Sequence, residues 1–303
     1  MASPGNSEWS APEPTRPRLY ALAERVGSLH ALDGPAEAVA KQVRGVLGRG
    51  PVKDAISGTW LGHALHPLLT DLPIGSWTSA TLLDVVGGRR STDAAERLIA
   101  IGILAAIPTA ATGANDWADT TPADATVRRV GAVHAGSNVA ALLLYGSSLT
   151  ARRCGRRGRG VLLGLAGFGA LTVGGHLGGH LTYAKAVGVR QTAFREPPRD
   201  WTPTVPETAV AEDRPLRASA GDMPVVLVRH AGRIHALADR CTHRGGSLSE
   251  GSLEDGCVRC PLHGSVFRLI DGGVVRGPAC EPAPAFDVRV AGGTVEVSAP
   301  AGT

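Results

Sequence analysis

Aromatic residues are scarce: five Trp, three Tyr and four Phe make up 4% of 303 residues. A surface that stacks nucleic-acid bases needs more of them, and a net charge of +4 leaves too little positive potential to hold a phosphate backbone. Nucleic acid is therefore excluded as a partner. The arginines gather instead beside apolar segments, as they do where a bilayer interface attracts them. Cysteine is sparse too. Cys241 and Cys260 stand in a motif described below, which leaves Cys154, Cys257 and Cys280, an odd number with no disulfide framework. Unpaired thiols fit a reducing compartment. The opening M-A-S-P-G-N-S-E-W has no basic start followed by an apolar core, so no cleaved signal peptide is expected.

What is present divides sharply. Residues 1–17 are rich in Pro and polar side chains and read as a disordered tail. Over 18–56, Leu19, Leu22, Val26 and Leu29, then Ala36, Val39, Val43 and Leu47, recur at helical spacing. They predict two amphipathic helices lying on a membrane surface or on a bundle. Four apolar segments follow, at 67–86, 98–114, 131–150 and 160–184, joined by short links. Spanning takes about 20 mostly apolar residues. Gly, Ala, Ser and Thr dominate these segments and allow close backbone approach. The region 57–190 thus reads as an antiparallel four-helix transmembrane bundle with the lipid bilayer as its partner. A Pro- and charge-rich linker is expected over 191–206. Strands at 224–229, 234–238, 265–270, 274–275, 286–290 and 294–298 predict a small all-β domain over 207–303.

Five histidines belong to the bundle. His63 and His66 enter its first helix, His134 lies near the start of the third, and His176 and His180 near the end of the fourth. In an up-down bundle all five share one level, with Asp71, Asp116 and Asp119. Ionisable side chains at that depth point to function. Haem b, a transition metal held by His and Asp, a quinone, and plain hydrogen-bonded helix-end histidines all remain open.

The chemistry-bearing stretch is Cys241 to His263, which reads C-T-H-R-G-G and later C-P-L-H-G-S. Two thiolates and two imidazoles suit tetrahedral zinc, or a [2Fe–2S] centre with one iron on sulfur and one on nitrogen. Zinc modules usually group ligands by type, whereas here Cys-then-His occurs twice. Gly264, Ser265, Phe267, Asp271-Gly272 and Gly277-Pro278 extend a pattern that resembles the Rieske family over roughly residues 200–298. The resemblance implies that Cys241 and Cys260 hold the inner iron, and His243 and His263 the outer one. Gly246 and Leu262 stand where Rieske proteins of cytochrome bc complexes carry a disulfide, and Phe267 where they have Tyr. It therefore implies a ferredoxin-type centre, not a quinol-oxidising one. A Rieske oxygenase would need a further iron domain, and only about 40 residues follow His263.

A second resemblance rests on G-T-W-L-G-H-A-L-H-P-L-L-T-D-L-P-I-G, A-T-G-A-N-D-W, the His134–Asn138 patch and G-G-H-L-G-G-H-L. It is to a bacterial four-helix membrane domain of unassigned function. Together these readings imply a membrane-anchored electron carrier of the oxidoreductase type, with no catalytic residue of its own and an unknown redox partner protein. The alternative is a redox-sensing or assembly module. On topology, Arg89, Arg90, Arg97, Arg152, Arg153, Arg156, Arg157 and Arg159 lie on one side. Lys53, Arg128, Arg129, Lys185, Arg190, Arg195 and Arg199 lie on the other. That near tie, with the unpaired thiols, places both termini and the β domain on the cytoplasmic side of a multi-pass bacterial membrane protein.

Overall fold

The computed structural model describes residues 17–48, 50–120 and 124–300. The tail expected over residues 1–17 lies outside the described residues, apart from Pro17.

Three short helices come first: α1 (Arg18–Gly27), α2 (Asp33–Leu47) and α3 (Pro51–Ser57). Pro51 opens α3 at the first helical position, where its missing N–H costs nothing. Gly58 closes it at φ +85°, and a Cβ there would stand 2.4 Å from the His63 carbonyl oxygen. Helices α1 and α2 pack on the bundle: α1 on the third long helix, α2 on the second and third.

The four long helices are α4 (Leu65–Val86), α5 (Thr92–Thr120), α6 (Ala125–Arg153) and α7 (Arg157–Gly179). Asp124 caps α6, accepting hydrogen bonds from the Thr126 and Val127 amides at 2.8 and 3.1 Å. Consecutive helices pack against each other and α7 returns to α4, the antiparallel closed arrangement that short links dictate. Two stretches, Gly88–Thr120 and Arg157–Ala184, are long and apolar enough to cross a membrane. The sequence reading expected four. Helices α4 and α6 fall short in mean hydropathy, α4 through Asp71, Asp84 and its Ser and Thr residues, α6 through His134, Asn138 and its Ser and Gly residues.

The bundle carries large apolar side chains on its outside as well as in its core around Trp77, Ile99 and Leu171. Leu72, Leu82, Val85, Leu104, Ile107, Leu143 and Leu162 all point outward, each more than half exposed. Inside, Arg152 pairs with Asp84 through both carboxylate oxygens, their side chains 1% and 3% exposed. Thr81 bonds the Tyr145 hydroxyl at 3.0 Å, and Tyr145 stacks on Trp77 at 4.6 Å between ring centres.

The C-terminal region holds ten strands. A six-stranded sheet runs in the order β1 (Thr202–Pro206), β10 (Thr294–Ser298), β9 (Ala285–Ala291), β4 (Arg233–Ala238), β3 (Met223–His230), β2 (Leu216–Ala220). A four-stranded sheet follows chain order: β5 (Ser252–Glu254), β6 (Cys257–Arg259), β7 (Val266–Arg268), β8 (Val274–Arg276). All pairings are antiparallel. Strand β1 corrects the expected linker. Its Pro203 and Pro206 read as linker residues, but proline is tolerated on an edge strand, and β1 is the sheet edge. Two cores result. One fills the large sheet's hairpins around Val225, Leu227 and Val295, and the other joins Val226, Val228 and Leu237 to Val258, Phe267, Cys241 and Cys260.

Replacing Asp84 by Asn is expected to destabilise the bundle by about 3–5 kcal/mol, because it strands the Arg152 cation in the interior. Replacing both partners by Leu and Met should recover most of that loss. Thermal unfolding in detergent checks both outcomes.

Candidate metal centre

The two Cys/His loops fold alike. Cys241 N–H donates to the Gly246 carbonyl at 2.8 Å, and Gly245 N–H donates back to the Cys241 carbonyl at 2.9 Å. In the second loop, Cys260 N–H donates to Ser265 at 2.8 Å and Gly264 N–H to Cys260 at 3.0 Å. Gly245 and Gly264, each four residues after its cysteine, adopt φ of +70° and +78°, a conformation costly to residues with a Cβ. This repeated turn places Cys241 and Cys260 in the core at 1% and 2% exposure and leaves His243 and His263 half-buried at the rim. The imidazole centres lie 5.1 Å apart, nearly perpendicular.

The electrostatics prepare these side chains as ligands. Cys241 bonds Cys260, so burial and that bond raise the Cys241 thiol, while Cys260 is pulled down to about 7. Amides of His243 and Arg244 point at the Cys241 sulfur, and those of Leu262 and His263 at the Cys260 sulfur, favouring thiolate. Burial pushes His243 well below the usual imidazole range and His263 down to about 4, with nearby cations adding to both shifts. The imidazoles are thus neutral at physiological pH, as metal ligation requires. His243 Nδ1 and His263 Nε2 are buried without a hydrogen-bond partner, an expense a ligated metal would remove.

One zinc does not fit this set. Tetrahedral donors at 2.0–2.3 Å from a single ion lie within about 4 Å of each other. Among the described residues, the only trio of His, Cys or acidic ligand atoms within 4.8 Å of one another is Glu212, Asp213 and His230. Those are surface side chains, in which His230 pairs with Asp213 at 2.7 Å. Cys241 lies against Cys260, and the His243 and His263 rings lie against each other, so the donors stand as a sulfur pair and a nitrogen pair.

Residues 200–287 match the family model for the Rieske [2Fe-2S] domain. The anthranilate 1,2-dioxygenase ferredoxin subunit of Burkholderia cepacia is 35% identical over 99 residues, 33% of this chain and 92% of that protein. The chain belongs to the Rieske [2Fe-2S] family. The 3-phenylpropionate/cinnamic acid dioxygenase ferredoxin subunit of Escherichia coli K12 is 36% identical over 96 residues, 31% of this chain and 90% of that protein. Among solved structures, the ferredoxin of carbazole 1,9a-dioxygenase from Nocardioides aromaticivorans IC177 matches with a TM-score of 0.32 at 23% identity, covering 33% of this chain and 97% of that one. Residues 62–191 match a second family, described as predicted membrane protein (DUF2231). The chain is thus a fusion of the two.

The Rieske loops do not stand free. The segment Gly277–Glu281 is bonded to both of them: Thr242 Oγ1 donates to the Glu281 carbonyl at 2.8 Å, and Ala279 N–H to Ser265 Oγ at 3.0 Å. The same segment meets α3. Gly277 N–H donates to Asp54 at 2.9 Å, the Cys280 thiol to the Ser57 carbonyl at 3.2 Å, and Thr59 Oγ1 to the Ala279 carbonyl at 3.4 Å. Sequence reasoning missed this docking, because neither Asp54 nor Cys280 carries a local signal.

Of the readings left open for the bundle histidines, the contacts of the side chains favour hydrogen-bonded helix-end residues. Nδ1 of His66 bonds the Thr109 carbonyl of α5 at 3.0 Å, and Nδ1 of His134 bonds the Gly174 carbonyl of α7 at 2.8 Å. His176 meets the Leu19 carbonyl at 3.3 Å and His180 meets Glu24 at 3.0 Å, both on α1. His63 is exposed and bonds the adjacent Ala64 carbonyl. The rings of His66 and His134 press on Gly113 and Gly178 of the neighbouring helices. They are interhelical struts, and the contacts lend haem b no support. A cavity of about 710 Å³ lies at the far end of the bundle, between Ile107, Leu143, Thr150 and Arg159, and none of these histidines lines it.

Gly246 is tightly enclosed: a Cβ there would stand 3.0 Å from the Cys260 sulfur and 2.9 Å from Leu262. Gly246→Val is expected to lower the iron bound per chain at least severalfold, with the melting temperature of the helical region unchanged. Iron analysis beside circular dichroism checks this.

Proposed function

We propose that this chain is a membrane-tethered one-electron carrier in which Cys241 and Cys260 hold one iron of a [2Fe–2S] centre, and His243 and His263 the other. The observation that carries the reading is the split donor set: two buried sulfurs and two neutral imidazoles on twin loops. When bound, such a centre supplies reversible uptake of a single electron, at a potential raised by its neutral nitrogen ligands. The chain's own contributions follow from the geometry. Amide N–H groups of residues 243, 244, 262 and 263 stabilise negative charge on the two sulfurs. Phe267, Val258 and Leu248 are fully buried in the same core and keep water from the sulfur side. Gly246 and Leu262 leave no thiols for a bridging disulfide, and Phe267 has no hydroxyl to donate. Both features support a ferredoxin-type carrier. The Burkholderia and Escherichia relatives are ferredoxin subunits of dioxygenases, which supports transfer to a separate partner protein.

Helices α4–α7 are read as the bilayer anchor. The support is their outward leucines and valines and an inward Arg–Asp pair. The cytoplasmic side is favoured for the Rieske region because Cys154, Cys257 and Cys280 are free thiols. A second reading, a redox sensor acting on the bundle, draws on the bonds from Gly277–Glu281 to both ligand loops and to α3. The two readings differ in whether electrons leave the chain.

Anaerobic purification from detergent-extracted membranes tests the proposal. Two irons and two acid-labile sulfides per chain are expected, with a Rieske-type EPR signal after dithionite reduction, and His263→Ala should abolish that signal. One zinc and no sulfide would sink the assignment, and recovery of the full chain in the carbonate-washed soluble fraction would remove the bilayer anchor.

A further inference from the structure

Beneath the docked loops, on the same short helix that receives them, lies a buried charge pair. Lys53 Nζ donates to Asp119 Oδ1 at 2.9 Å and to Asn115 Oδ1 at 3.0 Å, and the Lys53 and Asp119 side chains are 7% and 5% exposed. Asn115 passes the network on, donating to Ser57 Oγ at 3.0 Å and to Asp116 Oδ1 at 3.1 Å. Asp119 Oδ2 is buried with no partner. Lys53 is the residue before Asp54, which bonds Gly277, and four before Ser57, whose carbonyl receives the Cys280 thiol. A buried ammonium so placed is costly unless its field is used, because a hydrophobic pair of similar volume would stabilise the bundle at least as well.

We infer that the Lys53–Asp119 pair sets the reduction potential of the centre in the neighbouring domain. The inference rests on the two-iron assignment above and adds a positioning charge that lies outside the Rieske domain. Lys53 lies on α3, whose Asp54 and Ser57 are bonded to the Gly277–Glu281 segment, and that segment is bonded to both ligand loops, so the pair sits one layer beneath the centre. Taking up an electron makes the centre more negative, so a nearby cation favours the reduced form. In a water-poor interface this attraction is weakly screened by salt.

The two partners of one ion pair then have opposite effects, which a purely structural role does not produce. Lys53→Met removes the cation and leaves Asp119 uncompensated, so the midpoint potential falls. Asp119→Asn leaves Lys53 uncompensated, so the potential rises. Each change is expected to alter the reduction equilibrium about tenfold, which for a one-electron couple is about 59 mV. Lys53→Arg keeps the charge and stays near the parent value, and the Lys53→Met/Asp119→Asn double variant returns toward it.

The measurement is a mediator-assisted dithionite titration of the full-length protein in detergent, followed by EPR, at two ionic strengths. Shifts of opposite sign that persist at the higher ionic strength support the inference. Shifts of the same sign, or no shift in variants that retain full iron and sulfide, overturn it while leaving the two-iron assignment standing. A parent protein without iron overturns both. If Lys53→Met does not accumulate, Asp119→Asn against Lys53→Arg still decides the sign.

Discussion

Everything at the centre depends on a five-residue splint, Gly277–Glu281. It is bonded to the first ligand loop through Thr242 and to the second through Ser265, and it seats on α3 through Asp54 and Ser57 and on the turn after it through Thr59. Each bond contributes only about 1 kcal/mol net. Their joint effect is geometric: the two loops and the helical platform become one hydrogen-bonded unit. A Cβ on Gly277 would meet Thr59 Oγ1 at 2.4 Å, so the approach is as close as backbone allows.

Helices α1 and α2 are tied to the bundle by charge. Asp33 receives both Arg128 and Arg129, whose guanidinium groups hold its carboxyl well below the usual range. Arg129 also donates to the Gly27 carbonyl, joining α1, α2 and α6. In the bundle proper, Arg152 and Asp84 are turned inward and paired, and large apolar side chains face outward as well as inward. Close packing at glycines and paired polar groups join these helices, as the bilayer anchor proposed above would need. Gly102 against Trp77, Gly131 against Trp117 and Gly167 against Tyr145 show that packing, each glycine leaving room for an aromatic ring from the next helix.

How much of this was legible follows from whether each signal is local in the chain. The ligand loops were, because C-x-H and C-x-x-H fix turn geometry within six residues. The helices and the hairpin strands were, through periodicity. Strand β1 was not, since Thr202–Pro206 becomes a strand only by pairing with β10, almost a hundred residues away. Strands β2, β5 and β6 are short, and nothing in their spacing marks them. The histidines of the bundle could be placed at one end of it, but which of the open readings applied could not be read, because their partners are backbone carbonyls and Glu24 on other helices. Lys53 was counted with Arg128 and Arg129 as a flanking cation. Only the fold shows that it is buried against Asp119, 66 positions away.

The connection between domains also bears on how a carrier of this kind works. A Rieske domain on a slack tether would sample many positions, and its effective concentration at any one partner would fall with tether length. Here the residues after α7 are themselves bonded to the first ligand loop. Gln191 N–H donates to the Thr242 carbonyl at 3.3 Å, Arg190 pairs with Glu281 at 3.4 Å, and Arg244 reaches the Ala186 carbonyl at 3.4 Å. The connecting chain and the α3 platform thus approach the same pair of loops independently. Releasing the Rieske domain would break both sets of contacts and expose Asp54, the Cys280 thiol and the buried ends of His243 and His263 together. Two independent attachments at one pair of loops narrow the positions open to the domain more than a single tether does.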